Sequence, residues 1–177
     1  VMKALLETCD YLHSKGICHR DIKPDNILYS PDESPCLKLV DFGIATYKNK
    51  HRHEMWTTTG TLFYKAPEMF LGSYTNKVDV WAVGIVGYEL LHGHTPFVRE
   101  YVDDTIHEIQ SASPDISGDI DQFAQDFLRK CLSKNPKERP SAKEALKHPF
   151  MLRTSSRPVT PKINLNNSFE DDKDFPE

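Results

Sequence analysis

His19-Arg20-Asp21-Ile22-Lys23-Pro24-Asp25-Asn26 is followed, fifteen residues after Asn26, by Asp41-Phe42-Gly43, and Ala66-Pro67-Glu68 closes the segment. Fixed residues at such fixed spacing arise by chance less than about once in ten thousand chains of this length. Asn26 and Asp41 offer hard oxygen ligands, and Lys23 stands two residues from the Asp21 carboxylate. Taken singly, each would be an ordinary loop residue capping a backbone group. With all four in register that plain reading loses.

Working outward, residues 1–15 carry Met2, Leu5, Leu6, Cys9 and Leu12 at helical spacing, and Gly16 stands where a helix end favours a left-handed residue. Ile17 to Asn26 reads as a loop. Ile27–Tyr29 and Cys36–Val40 read as a short hairpin across the polar turn Ser30–Ser34. Little periodicity survives from Asp41 to Glu68, which suits a mobile loop. Helical patterns return at Lys77–Leu91, Tyr101–Ser111, Ile120–Leu132 and Ser141–His148, the last opened by the capping-box pair Ser141 and Glu144. Past Met151 the apolar rhythm ends. Residues 1–152 are therefore expected to form one domain, and residues 153–177, with Pro158, Pro161 and the closing acids, a disordered acidic tail.

The 177 residues carry a formal charge of −4, and residues 170–177 hold five acids against one base, so the tail accounts for the whole excess. No basic field argues for nucleic acid. The most apolar stretch, Val78–Leu91, is too short for a bilayer and is interrupted by Asp79 and Glu89, so no membrane span is expected. Four scattered cysteines without a C-x-x-C pair suit reduced thiols in an intracellular, cytoplasmic or nuclear protein. The pairs His51-x-His53 and His92-x-His94 lack further ligands at useful spacing and read as solvated histidines.

The ordered phrases H-R-D-x-K-x-x-N, D-F-G and A-P-E resemble the eukaryotic serine/threonine protein kinase family, over the chain from near its start to about Met151. The resemblance implies a mainly α fold, the kinase C-lobe with a short β-hairpin by the catalytic loop. It implies transfer of the ATP γ-phosphate to protein Ser or Thr hydroxyls, with ATP and Mg2+ as cofactors. Asp21 would orient the substrate hydroxyl and take its proton, Lys23 would neutralise the moving phosphate, and Asn26 and Asp41 would hold magnesium. Leu28 would pack below the adenine. His19 and Phe42 would be stacked core side chains with no acid–base role.

Arg20 would meet an activation-loop phosphate, for which Thr57 is the aligned candidate and Thr58 and Thr59 remain open. Thr61 resembles the threonine that bonds the catalytic aspartate and lysine. Asp79 would brace the catalytic loop backbone, and Arg139 would pair with Glu68. Asp25 and Glu89 occupy places where kinases that prefer basic substrates meet residues upstream of the target, and the chain leans toward the calcium/calmodulin-dependent-kinase-like group.

No G-x-G-x-x-G run and no strand lysine of the V-A-I-K type precede His19, where only eighteen residues stand. The expectation is a clipped chain whose N-lobe is missing and which is inactive alone. The alternative is a non-catalytic one-lobe module that binds substrates or partners.

Overall fold

From Val78 to Tyr88 the sequence offers one charge, Asp79, and a helix apolar on all sides must lie inside the molecule. The computed structural model, which describes residues 1–30, 36–47 and 60–153, places it there. This helix, α2 (Lys77–His92), buries every residue from Val78 to Tyr88. The N-terminal helix α1 (Met2–Ser14) lays Leu5, Leu6 and Cys9 against it and closes at Gly16, which takes φ 75°.

Helices α3 (Val102–Ser111) and α4 (Gln122–Cys131) follow. The Asp121 side chain caps α4 by accepting from the Phe123 and Ala124 N–H groups, and Phe127, Leu128 and Cys131 turn toward α2. Two glycines of α2 set how near its neighbours come. A Cβ on Gly84 would stand 2.9 Å from Cys131 Cβ and from Leu132 Cδ2, and one on Gly87 would stand 2.3 Å from Met2 Cε.

The strands form two antiparallel pairs. β2 (Ile27–Ser30) pairs with β3 (Cys36–Leu39) in the register Ile27 to Leu39, which is the expected hairpin. β1 (Ile17–Cys18) pairs with β4 (Thr46–Tyr47), with Ile17 opposite Tyr47. Ile17 and Cys18 read as loop from the sequence alone, because their partners lie thirty and twenty-eight residues away, beyond the reach of local patterning.

The helix expected over Ser141–His148 is shorter. α5 covers Ala142–Ala145 behind an intact Ser141–Glu144 capping box, then tightens to i→i+3 bonds from Lys147 N–H to Glu144 O and from His148 N–H to Ala145 O. Pro149 is the cause, because it disfavours helical backbone at His148 and starts a new helix, α6 (Pro149–Arg153). α6 runs one residue past the expected domain edge and buries Met151. Residues 154–177 and Thr57 lie outside the described residues. Cys9, Cys18 and Cys131 are buried free thiols. No helix among the described residues is long and apolar enough to cross a membrane.

Candidate active site

The site begins with a buried carboxylate. Asp79, in the first turn of α2, accepts from His19 N–H at 3.0 Å, Arg20 N–H at 2.9 Å and His13 Nε2 at 2.8 Å. Burial pulls its carboxyl upward, but the His13 hydrogen bond and charge and the two backbone N–H groups hold it below the ordinary carboxylate range. The chain after β1 is thus pinned to the core, and Arg20 is held at φ 71°. Sequence reading placed Asp79 in this role and missed His13. The available signal was position, since His13 lies four residues after buried Cys9 on the inward face of α1.

Asp21 follows, and its carboxylate gathers the loop. Oδ1 accepts from Thr61 N–H at 3.0 Å and from the Thr61 hydroxyl at 3.1 Å, while Oδ2 lies 3.2 Å from Lys23 Nζ and accepts from Asn26 Nδ2 at 3.0 Å. Lys23 Nζ donates to Thr61 Oγ1 at 2.8 Å, and Asn26 Nδ2 also donates to Asp21 O at 2.8 Å. Burial tends to raise the Asp21 carboxyl, yet Thr61 and Lys23 together hold it below its usual value. Gly60 makes the approach possible. It sits at φ 91°, and a Cβ there would come within 2.5 Å of Arg20 O.

Asp41 reaches the same neighbourhood through the hairpin. Val40 N–H donates to Asn26 O at 2.9 Å, so Asp41 is the residue just beyond, exposed, at φ 61°, its Oδ1 accepting from Gly43 N–H at 3.0 Å. His19 is fully buried; its Nε2 faces Val40 O at 3.2 Å, and Asp21 N–H donates to its Nδ1 at 3.3 Å. The tautomer protonated on Nε2 satisfies both contacts. The resemblance implied a stacked core pair with Phe42. The rings instead meet edge to face at 4.8 Å and 68°, and Phe42 remains half exposed. Leu28 is likewise exposed on β2.

Arg20 Nε donates to Ile44 O at 2.6 Å and its Nη1 to the Tyr74 hydroxyl at 3.2 Å, tying the loop to the segment after Gly43. Further out, Arg139 meets Glu68 through two bonds, Nη1 to Oε1 at 2.6 Å and Nη2 to Oε2 at 3.0 Å, and both side chains are buried.

A family model for the protein kinase domain matches residues 1–151. This chain belongs to the protein kinase family. It is 38% identical over 185 residues to the calcium/calmodulin-dependent protein kinase type I of Schizosaccharomyces pombe, an alignment spanning 99% of this chain and 54% of that relative. It is 37% identical over 155 residues to calcium-dependent protein kinase 3 of Plasmodium berghei, across 85% of this chain and 28% of the relative. A serine/threonine-protein kinase H1 homolog of Danio rerio is 38% identical over 159 residues, across 86% and 38% respectively. The chain therefore spans about half, or less, of the length of these relatives.

Two features of this kinase-family site were not legible as contacts in the sequence. The Tyr64 hydroxyl donates to Glu89 Oε2 at 2.8 Å, and burial, that bond and the charges of Glu89 and Asp25 push the phenol far above its ordinary range. Lys65, the next residue, is half-buried, and burial pulls its ammonium below the ordinary lysine range while the charge of Asp21 opposes that shift.

Proposed function

We propose that this chain is the C-terminal lobe of a serine/threonine protein kinase and carries the groups that move the ATP γ-phosphate to a protein Ser or Thr hydroxyl. The observation that carries the reading is the cluster of Lys23, Asn26 and Thr61 around the Asp21 carboxylate. Held ionised, Asp21 can align a substrate hydroxyl and accept its proton, a term worth about 10² to 10⁴ in rate. Lys23, anchored by Thr61, keeps a cation where negative charge must pass.

The residues fit magnesium. Asn26 spends its amide hydrogens on Asp21, which leaves its amide oxygen as a hard donor, and Asp41 adds an exposed carboxylate one residue beyond the Asn26–Val40 bond. Bound there, MgATP would supply the phosphoryl group and neutralise its charge. Leu28, Tyr29 and Phe42 are all exposed around the hairpin, which favours a covering N-lobe above them. Arg20 would receive a phosphate on Thr57, and Asp25 and Glu89 would favour basic residues upstream of the target.

The test is transfer of labelled phosphate from ATP by this sequence within its full-length protein, beside Asp21→Asn. Loss of about 10² to 10⁴ in kcat is expected. Equal incorporation by both would remove Asp21 from the role of base.

A further inference from the structure

His92 and His94 take no part in the cluster around Asp21, and their two rings have different surroundings. His94 is exposed, with Nδ1 facing Thr95 O at 3.0 Å. His92, read from the sequence as solvated, is half-buried in the last turn of α2, and both of its ring nitrogens face carbonyl oxygens. Nδ1 lies 3.0 Å from Tyr88 O, one turn back along the helix, and Nε2 lies 3.3 Å from Ser117 O, in the loop between α3 and α4. A carbonyl oxygen can only accept. The imidazolium donates to both, whereas a neutral ring has one N–H and must either give up Ser117 O or set a lone pair against Tyr88 O.

Three neighbours favour the charged ring. The last carbonyls of α2 present partial negative charge to a cation at the helix end. The Tyr88 ring lies against His92 at 3.9 Å and 10°, so the cation rests on a phenol face. From the α3–α4 loop comes Asp115, whose carboxyl the Ser117 hydroxyl and N–H hold below the ordinary carboxylate range, with the charge of His92 adding to that effect. The opposing group is His94, whose ring centre lies 6.3 Å away. The loop has a second tie to α2, since the Tyr88 hydroxyl donates to Asp115 O at 2.8 Å and Ile116 beside it is buried. Burial and the charge of Asp115 push that phenol above its ordinary range, so this tie holds while imidazoles titrate.

We propose that His92 is a proton-operated latch, fastening the strap Asp115–Ser117 to the end of α2 when its ring is protonated and loosening it when the ring is neutral. Imidazole side chains change charge between about pH 5 and 8, so the strap tightens on acidification within that range. Tyr88 holds one end of the strap throughout, and the Ser117 end is the part that moves. The latch is independent of the phosphotransfer reading above.

The experiment is amide hydrogen exchange of the Asp115–Ser117 strap at about pH 5.5 and about pH 8, corrected for the intrinsic pH dependence of exchange, on this sequence within its full-length protein. One hydrogen bond from a charged donor at a partly exposed site predicts protection about fivefold greater at the lower pH. His92→Phe keeps a ring on Tyr88, His92→Gln keeps a donor, and neither titrates. Protection in both should therefore change by less than about twofold over the same range. His94 is present in both variants, so a response lost in them belongs to His92. No gain in the parent on acidification, or an equal gain in parent and variants, overturns the proposal. A second readout needs no variant. Nitrogen-15 spectra of the parent should show hydrogen on both His92 ring nitrogens at the lower pH, and a ring still neutral there overturns the proposal as well.

Discussion

Replacing Arg139 with methionine tests whether the longest-range buried ion pair among the described residues holds the core together. The guanidinium is fully buried and makes two bonds to Glu68, at 2.6 and 3.0 Å. It also donates to Lys77 O at 3.0 Å and to Ser133 O at 3.0 and 3.3 Å, so it joins the Ala66-Pro67-Glu68 segment, the start of α2 and the start of the loop after α4. Methionine fills much of the volume but leaves Glu68, itself buried, without a cation, which costs about 3–5 kcal/mol. Against a whole-domain stability of about 5–15 kcal/mol, that loss is a large fraction. The bare carbonyls add to it, although not independently. Urea unfolding followed by fluorescence of buried Trp81, whose ring centre lies 5.1 Å from Arg139 Cζ, reads the loss directly. The second arm is Arg139→Met with Glu68→Leu. Removing the stranded charge should restore at least about 1 kcal/mol relative to Arg139→Met alone. A loss under about 1 kcal/mol in the single variant, or strictly additive effects in the double, would refute the argument that the pair is coupled and buried.

Three other outcomes are expected. Asp79 is held below the ordinary carboxylate range, so the folded chain binds fewer protons than the unfolded one; its stabilisation is complete above about pH 4 and fades as pH falls through the depressed value. Asp79→Asn should therefore be less stable at neutral pH but lose less on acidification, and an unchanged acid slope in urea midpoints would contradict this. Gly84→Ala should destabilise by about 1–3 kcal/mol, because its Cβ meets Cys131 Cβ and Leu132, whereas Gly87→Ala meets the mobile end of Met2 and should be near neutral; a reversed order in thermal melts sinks the packing account. Thr61→Val removes one of the groups that keep Asp21 ionised, so the acid limb of the kcat/KM profile should move to higher pH, and an unmoved limb would detach Thr61 from that task.

What the sequence carried was mostly local or motif-bound. The capping box of Ser141 and Glu144, the turn at Gly16 and the all-apolar run of α2 are encoded within one or two helical turns, and each formed as read. Asp79, Glu68 and Arg139 were legible only through the resemblance, because their partners lie 59 to 71 residues away. His13 escaped for the complementary reason. A histidine on an inward helix face has no visible meaning until the acid it meets is known, and that acid is 66 residues distant. β1 and β4 are two residues each, too short for alternation to show, so only pairing reveals them. The contact of His19 and Phe42 is edge to face where the resemblance implied a stack, and the buried His19 ring is held at its edges by Val40 O and Asp21 N–H.

Backbone strain is distributed in a way that bears on how the site works. Among the described residues, the non-glycine positions with positive φ are Arg20 at 71° and Asp41 at 61°, and both border the cluster around Asp21. Such conformations cost about 1–3 kcal/mol each and persist only where surrounding structure dictates them. Arg20 is dictated from the core, since its N–H is bound by buried Asp79 and its guanidinium by Ile44 O. Asp41 is dictated more weakly, by its own carboxylate folding back to Gly43 N–H in an exposed segment. The two strained residues therefore differ in rigidity. Under the phosphotransfer reading proposed above, the side that would orient the hydroxyl is set when the core folds, whereas among the described residues the Asp41 carboxylate has one short-range bond to break and would be the side to rearrange on taking a cation.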